Sequence, residues 1–330
     1  MVTDTQRGSP TARAPRTELP LGRATREAYG DALLELGKAN KDIVAIDADL
    51  AKSTFSWTFG KQFPERFFNI GIQEANMVGM ATGLASSGKI PFISSFASFV
   101  LGKGFDQLRM GAAYPHLGIK VIGSHGGISL GEDGVSQQSV EDVALACALP
   151  GFIVCIPADE HAMKKAVHAA AAHRGPVYLR LGRPKAHVLY KPDVEFEFGR
   201  AIQLRDGKDV TIVANGLLVA QAVMAADVLA DKGIEARVLD MHTVKPIDRD
   251  ALEEASQITG AFVVAEEHLH YGGLGSAVAL ALAEGTPAPI EFVDLGDRYA
   301  ESGKPEALML KYAMTADAIV SAAERVVDRK

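Results

Sequence analysis

Basic charge is in deficit in this chain. Lys and Arg number 34 against 41 Asp and Glu, a net charge of −7 over 330 residues, and no cationic stripe interleaved with aromatics breaks that balance, which argues against a nucleic-acid surface. Cysteine is scarce. The two present, Cys147 and Cys155, fall in apolar-patterned segments and read as small core residues rather than a disulfide or metal site, in keeping with a reducing, cytoplasmic compartment. Long apolar runs are missing too: no window reaches the roughly 18 residues that a membrane span needs. The opening stretch MVTDTQRGSPTARAPRTELP has no apolar block, so it is neither a signal peptide nor a packed element. Residues 1–19 read as a disordered tail.

What is present is a chain that is 48% apolar and long enough for two cores of ordinary size. From Thr25 onward, helical periods alternate with short apolar runs: TREAYGDALLELGKA, DIVAID, the helix after Glu74, IPFISSF, FVLGKGFDQLRMGAA, IKVIGSH, SVEDVALACAL, FIVCIP, DEHAMKKAVHAAAAH and PVYLRLG. Apolar strands separated by helices imply a parallel sheet covered on both faces. The pattern loosens over RPKAHVLYKPDVEFEFGR and then restarts with DVTIVAN, LLVAQAVMAADVLADKG, EARVLD, GAFVVAEE, GLGSAVALALAEG, IEFVDLG and a last helix from Thr315. The expected fold is α/β, two consecutive open and mostly parallel sheets with helices on both faces. The boundaries fall at 20–185 for the first domain, 186–200 for a linker and 201–330 for a smaller second domain.

Open α/β sheets bind ligands beyond the carboxyl ends of their strands, so the residues just after each strand carry the interest. Glu74 opens a helix, where the dipole and free N–H groups alone account for a carboxylate. A stripe of small residues on that helix (Ala75, Gly79, Gly83, Ser87) adds a second reading, in which close packing desolvates Glu74 and suits it to donate a proton. Phe96 and Phe99 follow the strand IPFIS and are either core or faces for a flat heterocycle. The loop GSHGGISLGEDGVSQQ has no core to serve; its glycines allow close backbone approach, and its side chains suit a polyhydroxylated ligand. It matches neither a Walker loop nor a dinucleotide fingerprint. In the second half, EEHLHYGGLGSAVA offers a weak glycine turn for phosphate, and Glu266, His268 and His270 invite a less favoured reading as metal ligands.

Taken together and in order, ATREAYGDAL, GIQEANMVGMATGLA, FASFVLGKGFDQLRM, GSHGGISLGEDGVSQ, HTVKPID, EEHLHYGGLG and SGKPEAL resemble the pyrimidine-binding and C-terminal domains of transketolase. The resemblance implies a thiamine-diphosphate enzyme that moves a two-carbon ketol unit from a ketose phosphate to an aldose phosphate, with sugar phosphates of the pentose phosphate pathway as the default substrates. It also implies roles. Glu74 would hydrogen-bond N1′ of the aminopyrimidine and so activate the thiazolium C2 proton for removal. Phe96 and Phe99 would line the aminopyrimidine pocket, and Asp49 would be an acid near the cofactor. Asp133 would bind a sugar hydroxyl and Gln137 would lie near the reacting carbons, while Arg26, Ser53, His125 and Arg183 would grip the substrate phosphate. The second domain would carry no catalytic residue and mainly support the dimer.

One departure is large. A complete transketolase has a further N-terminal domain that binds the diphosphate and a divalent ion through a Gly-Asp-Gly motif, and that motif does not occur here. The chain is therefore expected to be the C-terminal subunit of a split transketolase. Its N-terminal subunit would contribute the ligands of Mg2+ (or Ca2+), none of them in this chain, and the assembly would be a heterotetramer of two plus two. Competing readings are a deoxyxylulose-phosphate synthase or two-oxoacid dehydrogenase subunit, a transketolase for an unusual sugar, and a non-catalytic scaffold.

Overall fold

A computed structural model describes residues 19–330; most of the expected tail lies outside the described residues. The first sheet has seven strands, in the order Thr243–Lys245, Ile153–Cys155, Val177–Arg180, Lys120–Ser124, Ile90–Phe96, Ile43–Asp47 and Phe67–Asn69. All neighbours run parallel except Thr243–Lys245, which lies antiparallel to Ile153–Cys155. The central strands are apolar and buried on both faces, as helix-covered parallel strands must be. Register then fixes the rim. Asp47 is level with Asn69 and Ser94, and Phe96 with Ser124, so the carboxyl ends deliver their following residues to one edge.

The second sheet has five strands, Ile290–Val293, Phe262–Ala265, Val210–Ala214, Ala236–Asp240 and Ile202–Arg205, with only the last antiparallel. Its helices begin where the sequence offers caps. Asp248 accepts from the Ala251 N–H at 3.0 Å ahead of Arg249–Thr259, and Gly260 ends that helix at φ +60°. This helix and Pro305–Lys311 escaped the pattern reading; the first is short and rich in Glu and Gln, the second only seven residues long.

Two features cut across the expected boundaries. Strand Lys185–His187 pairs antiparallel with Leu21–Ala24 and spans the expected edge of the linker at 185/186. Strand Thr243–Lys245 comes from the second half yet edges the first sheet, and a single apolar cluster joins Val154 and Ile156 to Val213, Leu239, Met241 and Val244.

Asp240, at the end of its strand, is fully buried and accepts a 2.6 Å hydrogen bond from the Tyr190 hydroxyl. Burial pushes its carboxyl up to about 7, against the opposing effect of that bond. A carboxyl raised above its unfolded value of about 3.9 binds more protons when folded. Its contribution to stability is therefore complete below about pH 4 and is lost as pH rises through about 7. In Asp240→Asn, which still accepts from Tyr190, stability should fall less steeply between about pH 5 and 7, by at most about 1.4 kcal/mol per pH unit. Parallel denaturation profiles for the two proteins would refute this.

Candidate active site

Helix Glu74–Ser86 starts on the rim, and Glu74 is only 2% exposed. The burial comes from the neighbouring helix Ala97–Leu108, and not from the small-residue stripe: Gly79 and Gly83 are exposed, and among the described residues no other element comes within 4 Å of a Cβ built on either. Lys103 of that neighbouring helix brings its ammonium to 3.5 Å from Glu74 Oε2, while Oε1 is buried without a hydrogen-bond partner among the described residues. Lys103 also sits 4.5 Å from the centroid of the Phe99 ring, a cation–π contact. Pattern reading passed over this lysine. The available signal was its spacing, four residues after Phe99 and seven after Phe96 on one helical face.

From there a row of planar groups runs along the rim. Phe99 stacks on Phe96 at 5.6 Å between centroids, and Phe96 stacks on the His125 imidazole at 4.0 Å. His125 is itself in the left-handed region at φ +62°, a backbone state that an imidazole side chain tolerates better than a β-branched one. Burial foremost, then the charges of Arg26 and Arg183, push its pKa down to about 3, so the ring is neutral near pH 7. Arg26 Nη1 lies 3.4 Å from His125 Nε2. Arginine only donates, so Nε2 is the acceptor and Nδ1 carries the proton, 2.8 Å from Ser124 Oγ.

Arg26 also donates to the Ser53 carbonyl at 2.9 Å, and its buried Nε has no hydrogen-bond partner among the described residues. Arg183 donates to the Leu130 carbonyl and, at 2.9 Å, to Glu132 Oε2. Arg26, Ser53, His125 and Arg183, far apart in sequence, thus converge on one end of the row.

The remaining expected residues are more loosely tied in. Gln137 is half-buried, its carbonyl accepting from Ser98 Oγ at 3.0 Å, and Asp133 is exposed on the same loop. Asp49 is exposed at φ +67° and is braced by Asn69, which accepts from the Asp49 N–H at 3.1 Å and donates to Asp49 Oδ1 at 3.2 Å. Beneath it, buried Asp47 accepts from the Leu50 N–H, Thr54 Oγ1 and Ser56 Oγ. Desolvation raises Asp47 to about 6 in spite of those three bonds.

The second half corrects two readings. The N–H groups of Leu274 and Gly275, offered above as a phosphate turn, are already taken by Glu266 at 2.8 and 2.7 Å. His270 pairs with Asp294 at 2.8 Å, and among the described residues no group of three His, Cys, Asp or Glu side chains is placed to share a metal ion.

A buried helix-start glutamate with one unmet oxygen and a ring pair beside it fits an aminopyrimidine, which offers both a ring nitrogen and a stacking face. Comparison with known proteins makes this specific. Residues 22–187 match the transketolase pyrimidine-binding domain and residues 199–319 the transketolase C-terminal domain. The chain belongs to the transketolase family, whose members depend on thiamine diphosphate.

The chain is 43% identical over 305 residues to 6-deoxy-6-sulfo-D-fructose transketolase subunit SqwH of a Clostridium species, covering 92% of this chain and 95% of that one. Human transketolase is 39% identical over 311 residues, 93% of this chain but only 49% of the human protein. A solved structure described as a split gene transketolase, inactive beta4 tetramer, superposes with a TM-score of 0.87 at 48% identity, covering 93% of this chain and 99% of the other.

Proposed function

We propose that this chain is the pyrimidine-side subunit of a heteromeric transketolase, moving a two-carbon ketol unit between sugar phosphates once an N-terminal subunit contributes the diphosphate and metal side. The observation that carries the reading is the continuous row from Glu74 through Lys103, Phe99, Phe96 and His125 to Arg26. In this reading the carboxyl at one end handles a proton and the cationic donors at the other bind an anion. A scaffold subunit has no use for a buried Glu74 Oε1 and a buried Arg26 Nε that both lack partners. The human enzyme's twofold greater length and the inactivity of the related split protein as a beta4 tetramer also support the two-subunit reading; the active assembly is proposed as two plus two.

Bound thiamine diphosphate would supply the acidic carbon that attacks the donor ketose. The chain's own residues do the rest. Glu74 Oε1 holds a proton at N1′ of the aminopyrimidine, and Phe96 and Phe99 present ring faces and exclude water. Asp49 stands near the cofactor on a loop fastened by Asp47 and Asn69. Asp133 and Gln137 meet the sugar hydroxyls and the reacting carbons. Arg26, His125, Arg183 and Ser53 bind the terminal anion. Arg183 must release Glu132 for a phosphate, and His125 must move its proton from Nδ1 to Nε2 or take up a second one to donate to it. The same donors suit a sulfonate, as the sulfofructose relative's name suggests.

Each charge-assisted bond to a phosphate contributes about 1.5–3 kcal/mol, so Arg183→Ala should raise KM for a phosphorylated donor roughly ten-fold or more. A small non-phosphorylated hydroxyketo acid should be used almost as well as before. His125→Ala should show the same selectivity. Equal losses on both donors, measured in the assembled enzyme, would remove these residues from the anion site.

A further inference from the structure

We propose that Glu267, a residue of the second domain, positions the substrate loop of the first and, through it, the anion-binding Arg183; the functional half of this inference rests on the transketolase reading. Glu267 lies just beyond the end of strand Phe262–Ala265 and is buried, with its carboxylate directed across the domain interface. Oε1 accepts from the Ser129 N–H at 2.9 Å, and Oε2 accepts from Ser129 Oγ at 3.2 Å. Ser129, also buried, is the middle of the loop that runs from His125 to Gln137. The next carbonyl, that of Leu130, is the one that receives Arg183 Nη1. A carboxylate in the second domain is therefore three links from the guanidinium that would meet the substrate.

The geometry is closed on every side. Arg180 donates to the carbonyls of Glu267 and Ser139, at 2.9 and 2.8 Å, so the backbone of the second domain and the end of the loop share one cation. Gly127 occupies φ +83°, and a Cβ there would stand 2.6 Å from Glu267 Oε1. The loop can pass only as glycine. Farther along, Gln138 Nε2 donates to the Glu301 carbonyl at 3.1 Å. Such a two-point grip on the centre of a glycine-rich loop restricts the loop while leaving His125, Asp133 and Gln137 to face the ligand. The second domain thus helps shape the site without touching a reacting atom.

The test uses Glu267→Ala and Glu267→Gln in the chain assembled with its partner subunit. Glu267→Ala should raise KM for a phosphorylated ketose roughly ten-fold, the scale expected when a binding group is misplaced by a fraction of an ångström. The apparent affinity for thiamine diphosphate should stay within about two-fold, since the ring pair and Glu74 are untouched. Glu267→Gln keeps an acceptor for the Ser129 N–H and should recover most of the loss. Hydrogen exchange on the full chain alone gives an independent reading: the Ser129 amide should exchange faster in the alanine variant and near the original rate in the glutamine variant. Unchanged exchange and KM in Glu267→Ala would overturn the proposal, and so would parallel losses in KM, kcat and cofactor affinity, which mark a merely structural role. An assembled wild-type enzyme without ketol transfer would instead defeat the transketolase reading, and the exchange result would still decide whether Glu267 restrains the loop.

Discussion

Glu74→Gln is expected to lower kcat by ~100- to 10,000-fold in the assembled enzyme, the range typical of losing a positioned acid–base group. Gln retains the shape of the side chain and can still hydrogen-bond a ring nitrogen, yet it has no carboxyl proton to share with N1′. Fold and assembly should survive, because the change is nearly isosteric and removes a charge that has Lys103 at 3.5 Å as its only ion-pair partner among the described residues. Lys103 would then be left beside a neutral amide, but it is half exposed and remains solvated. Steady-state turnover alongside a thermal unfolding curve checks both halves. Near-normal turnover in a correctly assembled variant would return Glu74 to a plain helix-start carboxylate.

Supplied with thiamine diphosphate and Mg2+ but no partner, the chain is expected to give no measurable ketol transfer, and calorimetric titration should show little cofactor binding. Addition of the N-terminal subunit should restore both. The physical reason is that the candidate site of this chain offers the cofactor a carboxyl and ring faces, fitted to its pyrimidine end. The diphosphate and its metal carry the charge, and the sequence lacks the Gly-Asp-Gly signature that meets them in the family. Tight binding by this chain alone would sink the split-subunit reading.

Much of this architecture was legible in the sequence because parallel strands buried on both faces are written as short, unbroken apolar runs. The apolar run IPFISSF coincides with strand Ile90–Phe96, although Phe96, read above as following the strand, is its last residue. Helix Arg249–Thr259 was not legible, since its apolar face is narrow and its other residues read as a charged loop. Edge strand Thr243–Lys245 was hidden for another reason: three residues carry no period, and membership of the first sheet depends on a contact nearly ninety residues away in sequence, Thr243 with Cys155. At the site, motif order singled out Glu74, Asp49, Phe96, His125 and Arg183 as candidates, whereas Lys103, beside Glu74, and Asn69, which braces Asp49, act through space and leave no local mark. Among the described residues nothing packs against the Gly79 and Gly83 stripe, because a run of small residues specifies room for a neighbour and not which neighbour fills it.

The strand shared between the two halves bears on how the enzyme moves. Thr243–Lys245 is fastened to the first sheet on one side, and Lys245 Nζ donates to the carbonyls of Cys147 and Leu149 at 2.8 and 2.6 Å. Ile156 N–H donates to the His242 carbonyl at 2.7 Å, and Gly216 N–H to the Ile156 carbonyl. Swinging one half against the other would tear a strand from a sheet edge and open a common apolar interior, so the junction works as a weld where many two-domain enzymes have a hinge. Within this chain, rigid-body motion of one half against the other is opposed by the shared strand, its lysine anchor and the common apolar interior.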